Sequence, residues 1–364
     1  MKTIKKLLFL YIMLLLFISN SYAKMSYIRG AELMQTGVSP VAMGLMGGYA
    51  TENEYLDLLP VNPAVAAGLI RPNLLFSFSG LENSSARVSA LTAFYCQPTK
   101  VGIFSAGTTV IKNKKLELDT YVQPALIFTK AISTFFNFGF NIHVDFIKSL
   151  STNVNTNQPS KEYTHTGAGL DVGMQYYDNN HLDQPIGFGG TKIAFLIRNL
   201  GYNPRFQEIN KKRRLKSFAL QAGYSFKFID IYGEKGGFGS RLYFDFNLQP
   251  LPAVFNARLL AGLKISINAN QGLLDELAFI SSFSIIEGEK IGTHKIGRWA
   301  AGVLLNLRLK FTALHLNYSI TPAEINNKKG FFHNLSLNLA IGKKDSKPPA
   351  IDLGNFKDED VIDI

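Results

Sequence analysis

Hydrophobic and polar residues alternate along much of the chain, with the period of two that an extended strand produces. In FFNFGFNIHVDFIK, the apolar side chains at even positions from Phe136 to Phe146 share one face. The opposite face carries Asn137, Gly139, Asn141, His143 and Asp145. The pattern returns in FALQAGYSFKF, SRLYFDFNL, ARLLAGLKISI, WAAGVLLNLRLK and NLSLNLAI. Each stretch therefore predicts a strand with one apolar and one polar face.

Strand length distinguishes the two folds whose strands show this alternation, the soluble β-sandwich and the transmembrane β-barrel. Strands of a soluble β-sandwich usually run about 5 or 6 residues. Several stretches here run about ten or more, the length that crosses a bilayer at a tilt. Their polar faces carry Gly, Asn, Ser and isolated charges such as Asp145, Arg258, Lys264 and Arg308, which favours a hydrated lumen. We predict an all-β fold, a transmembrane antiparallel β-barrel of about 14 strands, with the sandwich as the alternative.

The predicted strands lie near 73–80, 86–96, 100–110, 121–131, 135–147, 163–176, 191–199, 215–228, 240–248, 256–267, 277–286, 298–311, 313–320 and 331–341. An even number returns both ends of the barrel to the periplasmic side. Long outer loops are expected at 148–162, 201–214, 287–297 and 321–330. The inner turns at 177–190 and 229–239 are longer than expected, which leaves open a missed pair of strands.

The first 23 residues have the organisation of a signal peptide. Three lysines precede an apolar run from Leu7 to Ile18, and the small-residue end SYA predicts cleavage after Ala23. An uncleaved anchor is the alternative. Removal lowers the formal charge from +11 to +8, and because the remaining charges are scattered we expect no nucleic-acid partner. The single Cys96 excludes an internal disulfide in this exported chain.

Residues 24–72 lack sustained alternation and are rich in Gly and Ala, which allow close backbone packing. Asn62-Pro63 predicts a turn before a short helix from Ala64 to Leu69. We expect this segment to form a compact plug in the lumen of a barrel that spans 73–341. The tail, 342–364, contains Pro348-Pro349 and an acidic end, typical of a periplasmic extension.

Motifs in the plug segment carry a family resemblance. They are Gly37, Met43, Gly44, Asp57 and the tripeptide Asn62-Pro63-Ala64. The arrangement resembles the FadL-type outer-membrane transporters of long-chain fatty acids and their PorV-like relatives. The resemblance implies a fourteen-stranded barrel with an N-terminal hatch in its lumen. It also implies diffusive uptake of hydrophobic small molecules, with hatch rearrangement and lateral exit through a kinked strand.

Two pairs of residues are candidates for these roles. An inward arginine among apolar neighbours would hold a carboxylate head group by charge-assisted hydrogen bonds, and Arg258 and Arg308 are the candidates. The alternative is that each forms a lumen ion pair with Asp145 or Asp245. Strand glycine often marks a bend, so Gly102 and Gly107 are candidates for the kink. Packing beneath the hatch is the alternative for both glycines.

Other functions have weaker support in the sequence. His143 and Asp145 share a strand face, but no serine is placed to complete a hydrolase site, and the six histidines lack the spacing of a metal site. We therefore expect no enzyme activity, cofactor or metal. The expected partners are a hydrophobic ligand and outer-membrane lipid. We expect the protein to be a monomer. The rival function is a PorV-like barrel whose loops or tail bind a protein in secretion or surface attachment.

Overall fold

The structure is a computed structural model. It describes residues 25–28, 39–45, 49–52, 54–83, 86–113, 120–150, 162–178, 186–200, 205–208, 211–214, 219–233, 236–250, 255–269, 272–286, 294–297, 299–309, 312–325 and 328–342. The predicted signal peptide, Gly37 and the tail from residue 343 onward lie outside the described residues.

Long antiparallel strands make up most of the described chain. The strands are β1 Met25–Ile28, β2 Asn73–Asn83, β3 Ala86–Pro98, β4 Ile103–Asn113, β5 Thr120–Ala131, β6 Phe136–Leu150, β7 Glu162–Tyr177, β8 Ile186–Leu200, β9 Arg205–Glu208, β10 Lys211–Arg214, β11 Ala219–Gly233, β12 Gly236–Pro250, β13 Phe255–Ala269, β14 Leu274–Ile286, β15 His294–Gly297, β16 Trp299–Arg308, β17 Thr312–Ile325 and β18 Lys328–Ile341. All except β1, β9, β10 and β15 pair with their neighbours in chain order, and β18 pairs with β2. The result is a closed barrel of fourteen strands, as predicted.

Each of the fourteen predicted segments overlaps one barrel strand, but two predicted connections are wrong. No strand pair is hidden at 229–239, because β11 and β12 are separated only by residues 234 and 235. The long loop predicted at 321–330 is absent, since only residues 326 and 327 separate β17 from β18. These strand ends contain Gly and charged residues in place of apolar alternation, so their sequence is typical of loops. The predicted loops at 201–214 and 287–297 contain the β9–β10 hairpin and β15.

The two faces of the barrel wall differ in polarity as predicted. Apolar side chains point outward and are exposed; Leu126 is 65% exposed and Phe195 is 54% exposed. Polar residues on the same strands point inward and are buried, among them Asn141, Ser225 and Asn334. An exposed apolar face on a closed barrel is the surface that lipid covers in membrane barrels. Within the described ranges, no helix combines the length and hydropathy that a membrane span requires.

Charge is unevenly distributed around the lumen wall. The inward residues of β2 to β5 are apolar, such as Leu75, Phe94 and Ile127, or carry a hydroxyl or amide group, and none of those with a described side chain is charged. The wall from β6 to β14 carries the buried charges. They are His143, Asp145, Asp171, Lys192, Arg198, Arg241, Asp245 and Lys264. The barrel thus has an uncharged side and a charged side.

The N-terminal plug, the described residues from 39 to 72, fills the lumen. It contains helix α1, Pro40–Gly44, and two 3-10 helices, Leu56–Leu58 and Val65–Gly68, the second within the helix predicted at 64–69. Buried apolar side chains of the plug join a core cluster with wall residues that include Leu75, Phe94 and Leu304. Burial of this apolar surface is the main force holding a plug in a barrel. The rim at which β2 begins and β18 ends is called the inner rim below.

Candidate functional site

The Asn62-Pro63-Ala64 motif rests directly on the barrel wall. Gly139 of β6 pairs with Gly173 of β7, and the motif covers this pair. A Cβ at Gly139 would lie 2.1 Å from the Pro63 carbonyl oxygen, and one at Gly173 would lie 2.9 Å from Asn62 Oδ1. Thr129 Oγ1 donates a hydrogen bond of 2.5 Å to the Pro63 oxygen. Only glycine at Gly139 leaves room for the plug backbone in this position.

The Asn62 side chain holds the turn together from the inside. Its Nδ2 donates to the Ala50 carbonyl oxygen at 3.1 Å, and its Oδ1 accepts from the Ala64 amide at 3.1 Å. Gln175 of β7 also donates to the Ala50 oxygen, at 2.8 Å. An aspartate carboxylate would lack the donor that this arrangement uses.

Asp57 joins three separate parts of the lumen. Its carboxylate accepts hydrogen bonds from Ser39 Oγ at 2.9 Å, from the Val41 amide at 3.1 Å and from Asn317 Nδ2 of β17 at 3.1 Å. Burial raises the pKa of Asp57 to about 6, although these hydrogen bonds act in the opposite direction. The motif residue Asp57 therefore ties the start of the plug to its first 3-10 helix and to the wall.

A second wall carboxylate holds the middle of the plug. Asp245 of β12 accepts from the Ala50 amide at 2.8 Å and from Gln221 Nε2 at 2.7 Å. Gly223 of β11 lies beside this contact, and a Cβ there would lie 2.8 Å from the Ala50 Cβ. The plug therefore packs against a wall glycine at Gly223 as well as at Gly139.

Charged groups meet where Glu54 of the plug reaches the wall. Glu54 forms ion pairs with Lys192 of β8, at 3.5 Å, and with Lys264 of β13. Lys264 also pairs with Glu276 of β14 at 3.1 Å. Arg241 of β12 stands opposite Lys264 in the strand register. We call Lys192, Arg241 and Lys264 the wall cation cluster.

A polar cluster of a different kind surrounds His143. Its Nδ1 lies 3.2 Å from Asp145 Oδ1, which also accepts from Tyr121 at 2.9 Å and Gln123 at 3.0 Å. Its Nε2 lies 3.7 Å from Asp171 Oδ2. In the part of the chain that the structure describes, no group of three His, Cys, Asp or Glu side chains has the arrangement of a metal site. This cluster links the strands β5, β6 and β7 across the lumen face.

The two predicted head-group arginines lie elsewhere. Arg308 ends β16 at the inner rim and pairs with Asp275, and a third of its side chain, 33%, is exposed. The backbone of Arg258 lies in β13 opposite Asn247, and its side chain lies outside the described part of the structure. The alternative of a pair with Asp145 or Asp245 is wrong for Arg308, whose carboxylate partner is Asp275. A ligand role for either arginine stays a prediction.

The two predicted kink glycines differ in position. Gly102 lies in the turn between β3 and β4 with φ +152°, and Gly107 lies within β4. A Cβ at Gly107 would lie 2.4 Å from the Phe94 ring, so this glycine makes room for an inward aromatic side chain. The register of β4 with both neighbours has no shift. The pairing of β5 with β6, in contrast, skips Gln123 and Pro124, and proline has no N–H for the ladder.

A pocket opens at the inner rim beside Gly102. It has a volume of about 150 Å³ and lies between the end of the plug, the β3–β4 turn and the end of β5. Its apolar lining includes Leu69, Ile70, Val101 and Ile103. Lys100 and Lys130 also line the pocket, so its apolar floor meets two positive charges at the rim.

Comparison with known proteins gives matches among solved structures alone: no protein-family model matches the chain, and no curated protein does. The Pseudomonas putida toluene transporter TodX is 10% identical, with a TM-score of 0.49 over 84% of this chain and 98% of that chain. The CymD monoaromatic hydrocarbon channel is 8% identical, with a TM-score of 0.47 over 85% and 98%. A Pseudomonas aeruginosa FadL homologue is 8% identical, with a TM-score of 0.41 over 84% and 98%.

Sequence reasoning missed most of the charged contacts. Lys192, Arg241 and Glu54 were not singled out, and Lys264 was noted only as an inward charge. The strand periodicity did contain a signal, because Lys264 alternates with the apolar Leu263 and Ile265. Which inward charges face one another depends on strand register and plug path, and the sequence pattern contains neither.

Proposed function

We propose that this chain is an outer-membrane channel through which hydrophobic small molecules, long-chain fatty acids among them, enter by diffusion. The plug acts as the hatch, and its displacement opens the route. The uncharged wall of β2 to β5, which leads to the pocket lined by Leu69, Ile70 and Val101, is the observation that carries this proposal. An apolar molecule would meet hydroxyl, amide and apolar groups along this wall but no described inward charge, and charged groups are the ones most costly to dehydrate. Lipid surrounds the outer face, and the barrel functions as a monomer.

Besides its apolar core, the plug has polar contacts with the wall that a hatch could exchange. Asp57, Asp245 and Glu54 hold it through hydrogen bonds and ion pairs that water and ligand groups can replace. Its covalent link to the barrel is the chain that leads into β2. Displacement therefore breaks no barrel ladder.

A disulfide that locks the plug to the wall tests this function. A Cβ at Gly44 would lie 3.5 Å from the Ser319 Cβ, within the range of about 3.5–4.5 Å that disulfides use. Only the flexible end of Ile280 must shift, because it lies 2.3 Å from the same position. We expect Gly44→Cys with Ser319→Cys to block uptake of decanoate into proteoliposomes when oxidised and to restore it when reduced.

Each single cysteine variant under the same oxidation is the matched control, with the buried Cys96 kept in all of them. Uptake that continues in the oxidised double variant would show that the plug does not gate the route. Absence of uptake in wild type and control alike would move support to the PorV-like protein-binding function.

A further inference from the structure

We propose that the pocket at the inner rim is a docking site for the acidic tail of this same chain, residues 343–364. An apolar pair of tail residues enters the pocket, and the acidic residues on either side of that pair contact two lysines of its lining. The inference goes beyond the proposed function, because tail docking does not require that any molecule crosses the barrel. A docked tail covers the pocket and closes the inner end of the uncharged wall.

The pocket combines exposed apolar surface with positive charge. Ile70 is 39% exposed and Val101 is 59% exposed, and both line the pocket. Lys100 and Lys130 lie on the same lining, and within the described part of the chain neither side chain has an ion-pair or hydrogen-bond partner. An apolar patch with polar groups at its margin is typical of a surface that binds another protein segment. The two lysines indicate that this segment is acidic.

The size of the pocket limits what enters it. Its volume, about 150 Å³, is that of a cavity that holds one small apolar molecule such as benzene. Gly102 keeps the pocket narrow on one side, because a Cβ there would lie 2.7 Å from the Phe128 ring and 2.9 Å from the Thr129 carbonyl oxygen. The pocket therefore fits one or two branched aliphatic side chains, with the rest of a peptide lying across its mouth.

The tail contains a segment with the matching pattern. In FKDEDVIDI, residues 356–364, four acidic residues accompany a single lysine, and Val361 and Ile362 lie between Asp360 and Asp363. These two aspartates are about 10 Å apart in an extended chain, so they can contact cations on opposite sides of a small pocket. Exposed ion pairs are individually weak, and burial of Val361 and Ile362 supplies the larger share of the affinity.

The tail also begins close to the pocket. Arg71 Nη1 donates to the Gly342 carbonyl oxygen at 2.7 Å, and Arg71 directly follows Ile70 of the lining. β18, β2, β3, β4 and β5 are consecutive in the ladder, so the far side of the pocket is four strand spacings of about 4.8 Å from the last strand. The chain from Gly342 to Asp360 spans up to about 60 Å when extended, which is more than this distance.

The test is a disulfide between tail and pocket in the full-length protein, purified in detergent. Val361→Cys is combined either with Val101→Cys or with Leu273→Cys, and the buried Cys96 is kept. Leu273 is the matched control, because it is 58% exposed and lies in the inner turn before β14, three strands from β18 in the opposite direction. Under mild oxidation we expect the pocket pair to cross-link roughly tenfold faster than the control pair, since docking raises the local concentration of the tail.

The rate of each pair is divided by the rate at which iodoacetamide modifies its rim cysteine. This ratio corrects for the reactivity of a thiol beside Lys100, since neighbouring charge changes the thiolate fraction. Barrel folding of every variant is verified from its heat-modifiable migration in gels.

Charge reversal separates docking from chance collision. Lys100→Glu with Lys130→Glu should slow cross-linking of the pocket pair by roughly tenfold, because two attractions become repulsions, and adding Asp360→Lys with Asp363→Lys should restore it. Equal rates for the pocket and control pairs, or a pocket rate that ignores the reversal, would overturn the docking site. A cross-linked dimer in place of the cross-linked monomer would overturn the assignment to the chain's own tail. Uptake does not enter the readout, so the proposed function is tested separately.

Discussion

At the scale of single residues, Gly139 determines how closely the plug can approach the wall. Gly139 lies directly against the backbone of the plug: a Cβ there would be 2.1 Å from the Pro63 oxygen and 2.4 Å from the Pro63 carbonyl carbon. We expect Gly139→Ala to weaken plug docking by about 1–3 kcal/mol, the usual effect of overpacking, without unfolding the barrel. Current recordings in planar bilayers should show more frequent openings than in wild type. Gly187→Ala, which has open space around its Cβ, is the control, and equal opening frequencies in the two variants would contradict the assigned contact.

Asp57 gives plug docking a pH dependence of defined sign. With the plug docked its pKa is raised by burial to about 6, above the ordinary 3.8 that applies once the carboxyl is hydrated. The docked state therefore binds the proton more tightly, and docking weakens as pH rises from about 4 to 6, by up to about 3 kcal/mol. Openings should become more frequent across this window and level off above it. Asp57→Asn should remove this step, because an amide does not titrate in this pH range. The contact with Asn317 is kept, since the Asn317 amide can turn to accept from the new donor. A step of unchanged size would assign the titration to another group.

At the scale of elements, the sequence predicts what depends on local pattern and misses what depends on neighbours. The strand of Phe136 to Phe146 was predicted with the correct faces because alternation between lipid and lumen is encoded residue by residue. The end at Gly233 was missed because the apolar positions change phase at the β-bulge between Lys227 and Ile229, and the end at Ile325 because residues 321–325 lack regular alternation. The turn at Asn62 was predicted, but its contact with Gly139 was not, because this contact joins residues far apart in the chain. The break in the β5–β6 pairing at Pro124, in contrast, has a local signal in the sequence, because proline has no N–H to donate to the ladder.

At the scale of the whole molecule, the barrel and the plug are separable in structure. The ladder closes through β18 and β2 and includes no plug residue, while the plug supplies buried apolar residues such as Leu58 and Leu59 to the lumen. We expect removal of residues 24–72 to leave a folded barrel that conducts ions steadily, since a closed ladder satisfies its own backbone hydrogen bonds. The exposed apolar wall around Phe94 should lower its thermal stability, because that surface would face water.

The deletion is compared with wild type in two measurements, gel migration after heating and conductance in planar bilayers. A barrel that retains its heat-modifiable migration at a lower transition temperature and conducts without closing is the expected result. The reason is that hydrogen bonds between strands determine closure, whereas plug packing determines only how far the lumen is filled. A deletion protein that never forms the barrel would show that the plug core around Leu58 is needed to close the ladder, and the hatch would then be part of the fold.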